Sequence, residues 1–374
     1  MKIFISSLLL LFVIQTHAAI VPSSPKLDAR SYYLVDFHSG KVLVSKNSHL
    51  KLAPASLTKI MASLIIFREI NQGNLQLDDK VRVSEKAWRT PGSRMFIEVN
   101  KFISIDELLH GMLVQSGNDA TVALAEHVAG DEATFAQLMN QAAKELGMSN
   151  SHFKNSTGLP DKDHYTTAHD LAILSRALIK EAPELYKLNA IKEYTFNGIK
   201  QQNRNKLLWR DDSVDGIKTG HTEDAGYCLV SSAVRDNMRL ISVVMGADSV
   251  EERTNDNQTL LNFGYRFYKT HLLYKAQQKL TDARIWQGTQ KMLPVGLGHD
   301  LYLTIPRNQY KELDASLEIQ PQLMAPMQQD SVVGTAHIKL KGKTISKQPL
   351  IALQSVPEGS MFQILKDKAL LMLE

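Results

Sequence analysis

A serine and a lysine stand three positions apart at Ser56 and Lys59, a spacing that suits nucleophilic catalysis. A serine hydroxyl must lose its proton before it attacks a carbonyl, and a lysine three residues later on a helix lies on the same face, within reach of that proton. The spacing occurs four times, but only Ser56 opens a strongly apolar helix, where burial lowers an amine pKa toward that of a useful base. The other pairs are Ser23/Lys26, Ser48/Lys51 and Ser151/Lys154. The pattern makes Ser56 a candidate nucleophile with Lys59 as its base, and backbone N–H groups at the helix start can stabilise a developing oxyanion.

Two polar motifs farther along the chain complete the set of candidate groups. Ser116 and Asn118, separated by one glycine, supply a hydroxyl for proton transfer and an amide for a substrate carbonyl. The run Lys218-Thr219-Gly220 supplies a second cation, a hydroxyl donor for a carboxylate and a glycine that permits close backbone approach. Alone, the first motif is usually a turn and the second a strand end.

Helices are predicted around the first two motifs and strands around the third. Ser104 and Glu107 form a capping box that begins a helix ending near Val114, so Ser116 lies at a break between helices. Apolar runs bounded by turn residues predict strands instead. The predicted helices cover 54–68, 104–114, 118–130 and 131–147, and the predicted strands cover 32–37, 41–44, 228–234 and 239–245. Strands at both ends of a helical middle indicate an α+β domain.

From about residue 273 the sequence consists of short runs in which apolar and polar residues alternate, a pattern that predicts a small all-β domain. A turn signal, Lys341-Gly342-Lys343, lies within it. After Pro357, apolar residues recur on one face of a predicted helix, which favours a tail lying on a membrane surface over a helix packed on its own domain. The apolar face comprises Met361, Phe362, Leu365, Ala369, Met372 and Leu373. The predicted organisation is 1–18 signal peptide, 26–270 catalytic domain, 273–357 β domain and 358–374 amphipathic tail.

The first residues predict export from the cytoplasm. Lys2 precedes an apolar run from Ile3 to Ile14, which is shorter than the roughly 20 residues that span a bilayer. Thr16-His17-Ala18 then supplies the small residues of a cleavage site. We therefore expect a protein secreted across the inner membrane, periplasmic and peripheral on that membrane.

Composition excludes several classes of protein. The chain has 374 residues, 44% of them hydrophobic, and a net charge of +4, so disorder is excluded as its main state and a nucleic-acid partner is not expected. Cys228 is the one cysteine, which excludes an intramolecular disulfide framework and a multi-cysteine metal site. In an apolar strand, Cys228 is expected to be a small buried residue.

Taken in order, the three motifs resemble those of the low-molecular-mass penicillin-binding proteins, serine D-alanyl-D-alanine carboxypeptidases with a C-terminal β domain. The resemblance covers nearly the whole mature chain. The matching segments are 54–61, 116–120, 155–160, 202–209, 218–222 and 225–226. It implies a serine β-lactamase or penicillin-binding transpeptidase-like fold, an antiparallel sheet with a helical subdomain, followed by the small all-β domain.

The resemblance also implies a reaction. Lys59 deprotonates Ser56, which attacks the penultimate D-Ala of a peptidoglycan stem pentapeptide and expels the terminal D-Ala, and β-lactams acylate the same serine. No metal or organic cofactor is implied. The catalytic residues implied are Ser56, Lys59, Ser116, Asn118 and Lys218, with an oxyanion hole from the backbone N–H groups of Ser56 and His221. The substrate-binding residues implied are Thr219, Gly220, Arg253 and Arg204.

Other interpretations of the chain remain open at this stage. Arg253 can alternatively form a surface ion pair with Glu251 or Glu252. A D,D-endopeptidase that cleaves cross-links uses the same residues, and a serine β-lactamase shares the acylation step. A class A β-lactamase uses a glutamate in Glu-x-x-Leu-Asn, whereas Glu184 here is one residue too far from Leu188. A wall-binding scaffold is disfavoured because the nucleophile and its base are both present.

Overall fold

The structure, a computed structural model, describes residues 21–373, which divide into two compact units. The first unit comprises Ser23–Leu273 together with Leu301–Thr304. The second comprises Tyr274–Asp300 and the residues from Ile305 onward. The predicted signal peptide, residues 1–18, lies outside the described residues.

An antiparallel five-stranded sheet in the order β2-β1-β9-β8-β7 forms one layer of the first unit. The strands up to residue 274 are β1 (Ser31–Asp36), β2 (Val42–Lys46), β3 (Lys80–Arg82), β4 (Phe102–Ser104), β5 (Glu193–Phe196), β6 (Ile199–Gln202), β7 (Val214–Thr222), β8 (Gly226–Arg235), β9 (Met238–Ala247) and β10 (Tyr268–Tyr274). The predicted hairpin near the N-terminus is confirmed as β1 and β2, and the two predicted later strands are confirmed as β8 and β9. Strand β7 lies at the edge of this sheet.

Helices form the rest of the first unit. They are α1 (Lys59–Asn71), α2 (Glu85–Arg89), α3 (Ile105–Leu113), α4 (Asn118–Ala129), α5 (Glu132–Glu145), α6 (Ala168–Glu181), α7 (Pro183–Tyr186), α8 (Leu207–Arg210) and α9 (Val250–Phe267). Every residue of α1 from Lys59 to Phe67 is buried, which confirms the predicted central helix. The capping box of α3 is also confirmed, since Ser104 and Glu107 each accept from the other's backbone N–H.

The start of the central helix differs from the prediction. Ser56 lies in a 3-10 turn, Ala55–Thr58, and the α-helix begins only at Lys59. Ala55 has a φ of 47° in the left-handed region, so the chain turns sharply just before Ser56. The turn closes with a hydrogen bond from Leu57 N to Pro54 O. Ser56 therefore occupies a tight strained turn that projects from the end of the buried helix.

A six-stranded sheet in the order β14-β16-β17-β12-β11-β15 forms the second unit. The remaining strands are β11 (Thr281–Trp286), β12 (Met292–Leu297), β13 (Leu301–Pro306), β14 (Leu313–Ile319), β15 (Leu323–Met324), β16 (Val332–Leu340) and β17 (Lys343–Ala352). The predicted turn is confirmed between β16 and β17, where Lys341 and Gly342 have φ values of 51° and 76°. Two consecutive positive φ values match the tight hairpin turn whose twist suits paired strands.

The last described helix, α10 (Met361–Leu371), begins at the cap residue Ser360. One side of it packs on the rest of its own unit, since the Asp367 carboxylate accepts a hydrogen bond from Gln287 N at 2.6 Å. The predicted apolar face is largely exposed, with Phe362 at 79% and Leu365 at 61%. Among the helices of residues 21–373, none has the length and apolar character needed to cross a membrane.

Candidate active site

Lys59 lies at the centre of a polar cluster at the start of α1. Its Nζ is 3.0 Å from Ser56 Oγ, 2.7 Å from Asn118 Oδ1 and 2.9 Å from the Thr157 carbonyl oxygen. The side chain is fully buried, at 0% exposure. The structure therefore brings together the predicted nucleophile, the predicted base and the amide of the second motif.

The environment of Lys59 favours its neutral form. Burial, helped by the nearby positive charge of Arg204, lowers its pKa from 10.5 to about 7, although Asp119 and Glu132 act in the opposite direction. Removal from water disfavours a charged ammonium, so the amine loses its proton near physiological pH. Such a pKa suits a general base.

The Thr157 carbonyl reaches Lys59 because residues 155–158 form a tight turn. Asn155 Oδ1 accepts from the backbone N–H groups of Thr157 and Gly158, at 3.2 and 2.7 Å. Gly158 has a φ of 88°, and a Cβ at this position would overlap the Ala55 carbonyl. Only glycine combines this conformation with this close approach. The turn thereby packs directly against the strained turn that carries Ser56.

Ser116 and Asn118 occupy the break between α3 and α4. Ser116 is buried with a φ of 67°, and its Oγ makes no hydrogen bond with any described residue. Asn118 donates from Nδ2 to Pro91 O at 2.6 Å while its Oδ1 contacts Lys59. The Ser116 hydroxyl is thus free to bond a reacting group, and Asn118 is held at both ends of its amide.

Strand β7 brings the third motif beside the Ser56 turn. A Cβ at Gly220 would lie 2.9 Å from Pro54 O and 3.3 Å from Ala55 Cβ, so glycine allows the strand to approach this closely. Lys218 is buried, and its Nζ donates to Thr219 O at 3.1 Å. Burial, together with Lys59, Arg204 and Arg253, holds the pKa of Lys218 well below its usual range.

Arg253 reaches the site from α9 and is only 4% exposed. Its Nη1 donates to Gly220 O at 3.0 Å and to Cys228 O at 3.2 Å, so the guanidinium is fixed at the ends of β7 and β8. Burial lowers its pKa to about 10. The interpretation of Arg253 as a surface ion pair is therefore wrong, because its guanidinium is buried and bonds the backbone of β7 and β8.

Tyr227 lies beside this guanidinium and stacks on His221. His221 and Tyr227 lie opposite each other on β7 and β8, and their rings stack with centroids 4.0 Å apart. The Arg253 guanidinium carbon lies 5.6 Å from the centroid of the Tyr227 ring. The His221 imidazole thus packs against Tyr227.

Several of these groups line a cavity of about 280 Å³, whereas Lys59, Asn118 and Lys218 lie behind its wall. The predicted site residues on its wall are Ser56, Ser116, Arg204, Thr219, Gly220, His221 and Arg253. Ser93 also lines it, as do Gln202, Asn203 and Lys206 from the matching segment 202–209, whereas sequence reasoning missed Tyr227 and Val250. The wall carries arginine and lysine side chains and no carboxylate. Such a cavity favours an anionic ligand. Across residues 21–373, no group of three or more His, Cys, Asp or Glu side chains is arranged to hold a metal ion.

Sequence reasoning singled out the 155–160 segment but missed that the Thr157 carbonyl contacts Lys59. The order Asn155, Thr157, Gly158 predicts a turn capped by a side chain. It does not predict that Lys59, 98 positions before Thr157, donates to that carbonyl. Sequence reasoning missed Tyr227 because its contact with His221 depends on the register between β7 and β8. Cys228 is buried, and burial raises its pKa to about 11, which confirms the expected small buried residue.

Comparisons with known proteins show which family this chain resembles. A family model described as D-alanyl-D-alanine carboxypeptidase matches residues 18–249, and one described as penicillin-binding protein 5, C-terminal domain, matches residues 268–358. Over 350 residues the chain is 42% identical to D-alanyl-D-alanine carboxypeptidase DacA of Escherichia coli strain K12, covering 91% of this chain and 87% of the relative.

Solved structures extend the comparison. Penicillin-binding protein 5 from Haemophilus influenzae is similar at a TM-score of 0.87 and 38% identity, covering 90% of this chain and 100% of that chain. Penicillin-binding protein D2 from Listeria monocytogenes, in its ampicillin-bound form, is similar at a TM-score of 0.60 and 30% identity, covering 65% of this chain and 100% of that chain.

The predicted fold is confirmed, an α+β domain of the transpeptidase type followed by a small β domain. The predicted family and enzyme class are confirmed as well. The chain belongs to the penicillin-binding-protein family of serine-type D-alanyl-D-alanine carboxypeptidases.

Proposed function

We propose that Ser56 is the nucleophile of this carboxypeptidase and that neutral Lys59 is its general base. The observation that carries the proposal is the set of three contacts to Lys59 Nζ. A neutral amine has two N–H groups and one lone pair. Asn118 Oδ1 and the Thr157 carbonyl can only accept, so they take the two N–H groups. The lone pair is then directed at the hydroxyl proton of Ser56.

Acylation follows from this arrangement. Lys59 takes the Ser56 hydroxyl proton as Oγ attacks the penultimate D-Ala carbonyl, and the backbone N–H groups of Ser56 and His221 stabilise the oxyanion. The C–N bond then breaks, and the proton passes to the departing amine of the terminal D-Ala. The product is an ester between Ser56 and the shortened stem peptide.

Deacylation uses the same basic groups. Water attacks the ester carbonyl, one of its protons returns to Ser56 Oγ, and the stem tetrapeptide leaves as a free acid. We assign the proton transfers to Lys59, Ser116 and Lys218. Burial of both amines favours their neutral forms, and the Ser116 hydroxyl is not committed elsewhere within the described residues.

The terminal carboxylate of the substrate binds at the cationic end of the cavity. Thr219 supplies a hydroxyl, Gly220 lets the chain end approach β7, and Arg253 and Arg204 supply positive charge. Arg253 is already oriented by two backbone carbonyls, so little conformational freedom is lost when a carboxylate binds.

The same site accepts β-lactams in our proposal. The Listeria monocytogenes relative is described in an ampicillin-bound form. A β-lactam resembles a D-Ala-D-Ala end with a reactive amide in its ring, so Ser56 opens the ring to give a stable ester. Against a serine β-lactamase, Glu184 is not among the residues lining the cavity, and it pairs instead with Lys187 in an exposed position.

We expect the full-length mature enzyme to release D-alanine from a soluble pentapeptide faster than it cleaves a D,D-cross-linked muropeptide. The cavity is small and its cations match a free terminal carboxylate, whereas a cross-link places a bulky residue beyond the scissile bond. Chromatography of both products under identical conditions measures the ratio, and Ser56→Ala corrects for contaminating activity. Faster cleavage of the cross-link would favour the endopeptidase instead.

We further propose a periplasmic enzyme peripheral on the inner membrane, attached through α10. Asp367 fixes one side of the helix, while Met361, Phe362 and Leu365 on the other side are 75, 79 and 61% exposed. Contiguous exposed apolar side chains on one face of a helix favour insertion into a lipid interface. Lys366 and Lys368 add attraction to anionic lipid headgroups.

Removing residues 360–374 is expected to release the mature protein from vesicles of anionic phospholipid, with no change in pentapeptide hydrolysis. Co-sedimentation measures binding. Phe362→Glu/Leu365→Glu should have the same effect as the truncation. The matched control is Val332→Glu/Ile345→Glu, which adds two charges at exposed apolar positions of the β domain and should leave binding intact. Equal binding of the truncated protein would contradict attachment through the tail.

A further inference from the structure

We propose that Asp119 is a positioning residue whose buried carboxylate holds residues 91–97 against α4 and thereby fixes Asn118, the amide that orients Lys59. This inference rests on the proposed roles of Ser56 and Lys59. Asp119 is 1% exposed and follows Asn118 directly in the chain. Its side chain makes no direct hydrogen bond to Lys59 or Ser56 within the described residues.

The carboxylate is surrounded by backbone N–H groups of one loop. Oδ1 accepts from Met95 N at 2.8 Å, and Oδ2 accepts from Phe96 N at 2.9 Å and Ile97 N at 3.3 Å. Oδ1 also accepts from Ala120 N at 2.9 Å, near the start of α4. Hydrogen bonds from N–H groups to a charged carboxylate are about twice as strong as neutral ones. One side chain therefore joins three consecutive loop residues to the helix.

Asn118 holds the first half of the same loop. Its backbone N–H donates to Ser93 O at 2.7 Å, and its Nδ2 donates to Pro91 O at 2.6 Å. The remaining amide oxygen contacts Lys59. Because the orientation of the Asn118 amide depends on Pro91, any displacement of the loop changes the contact with Lys59.

The loop needs an anchor and forms part of the cavity. Phe96 has a φ of 67°, a backbone conformation that bulky residues rarely adopt, and its side chain is half exposed. Ser93 lines the cavity, and Arg94 O accepts from Gln201 Nε2 at 3.2 Å on the β6 strand that leads to Arg204. Asp119 thus holds in place a loop that contributes Ser93 to the cavity wall and bonds β6 through Arg94.

Asp119→Asn tests this inference with little change in shape. The amide nitrogen that replaces one oxygen faces N–H donors and cannot accept from them. We expect the rate constant for acylation by a fluorescent penicillin at saturation to fall about 10- to 100-fold, because misplacing a catalytic group by about 1 Å can cost about 10²-fold. The penicillin concentration at half-saturation should change little, because Thr219 and Arg253 lie on other elements. Hydrogen exchange of the 91–97 amides should accelerate.

The matched control is Asp211→Asn. Asp211 also accepts from a backbone N–H, that of Ser213, and it bonds Arg235 and Gln258 away from the 91–97 loop. This variant should lose thermal stability while keeping the wild-type acylation rate and wild-type exchange at 91–97. If Asp119→Asn also loses only stability, Asp119 is merely structural and the inference is wrong.

Phe96→Gly supplies an independent readout. Glycine adopts the conformation of residue 96 without strain, so the loop should depend less on Asp119. The acylation loss caused by Asp119→Asn should be smaller in the Phe96→Gly background, and equal losses would contradict the inference. If Asp119→Asn does not fold, the double variant is compared with Phe96→Gly alone. Unchanged acylation in Ser56→Ala would instead overturn the proposed function itself.

Discussion

Replacing Ser56 with alanine is expected to reduce D-alanine release from a peptide ending in D-Ala-D-Ala by about 10⁴-fold or more, because loss of the nucleophile removes the covalent pathway. The methyl group fits the same turn, so the fold should persist with an unchanged melting temperature. Intact-mass spectrometry after incubation with ampicillin should detect an adduct on the wild type and none on the variant.

Ser48→Ala is the matched control for this experiment. Ser48 precedes Lys51 with the same spacing, but its hydroxyl bonds Ser45 Oγ rather than a lysine amine. This variant should retain wild-type release and adduct formation. Adduct formation that persists in Ser56→Ala, or disappears in Ser48→Ala, would place the nucleophile elsewhere.

Replacing Lys59 with methionine is expected to lower acylation by about 10²- to 10⁴-fold, the usual contribution of a general base. Methionine fills the buried volume without a lone pair that can take the Ser56 proton. In the wild type, acylation should rise with pH through an apparent pKa of about 7 and then level off, because the amine is a base only after it loses its proton. Stopped-flow acylation from pH 5 to 9 measures both effects.

Lys51→Met controls for removal of a lysine. The Lys51 ammonium lies 4.4 Å from the centroid of the Tyr165 ring, not in the polar cluster around Lys59. The acylation rate and the pH profile of the Lys51→Met variant should match those of the wild type. A rising limb that survives unchanged in Lys59→Met would mean that another group titrates near pH 7 and acts as the base.

Local signals in the sequence predicted elements whose stabilising contacts lie close along the chain. The capping box of α3 joins residues three positions apart, and the turn at Lys341 and Gly342 depends on two φ values within one hairpin. The three motifs were recognisable for a similar reason, since each is a short run of residue types. Sequence alone therefore determined the fold class, the family and the identity of the candidate catalytic groups.

Only the tertiary structure decided how those groups are held. Lys59 contacts residues 59 and 98 positions away, and the resulting burial lowers its pKa to about 7. Tyr227 faces His221 because of the register between β7 and β8, and Asp119 holds a loop that begins 28 positions before it, at Pro91. Such contacts depend on packing between elements. A local pattern specifies a residue's own backbone but not which distant partner will approach it.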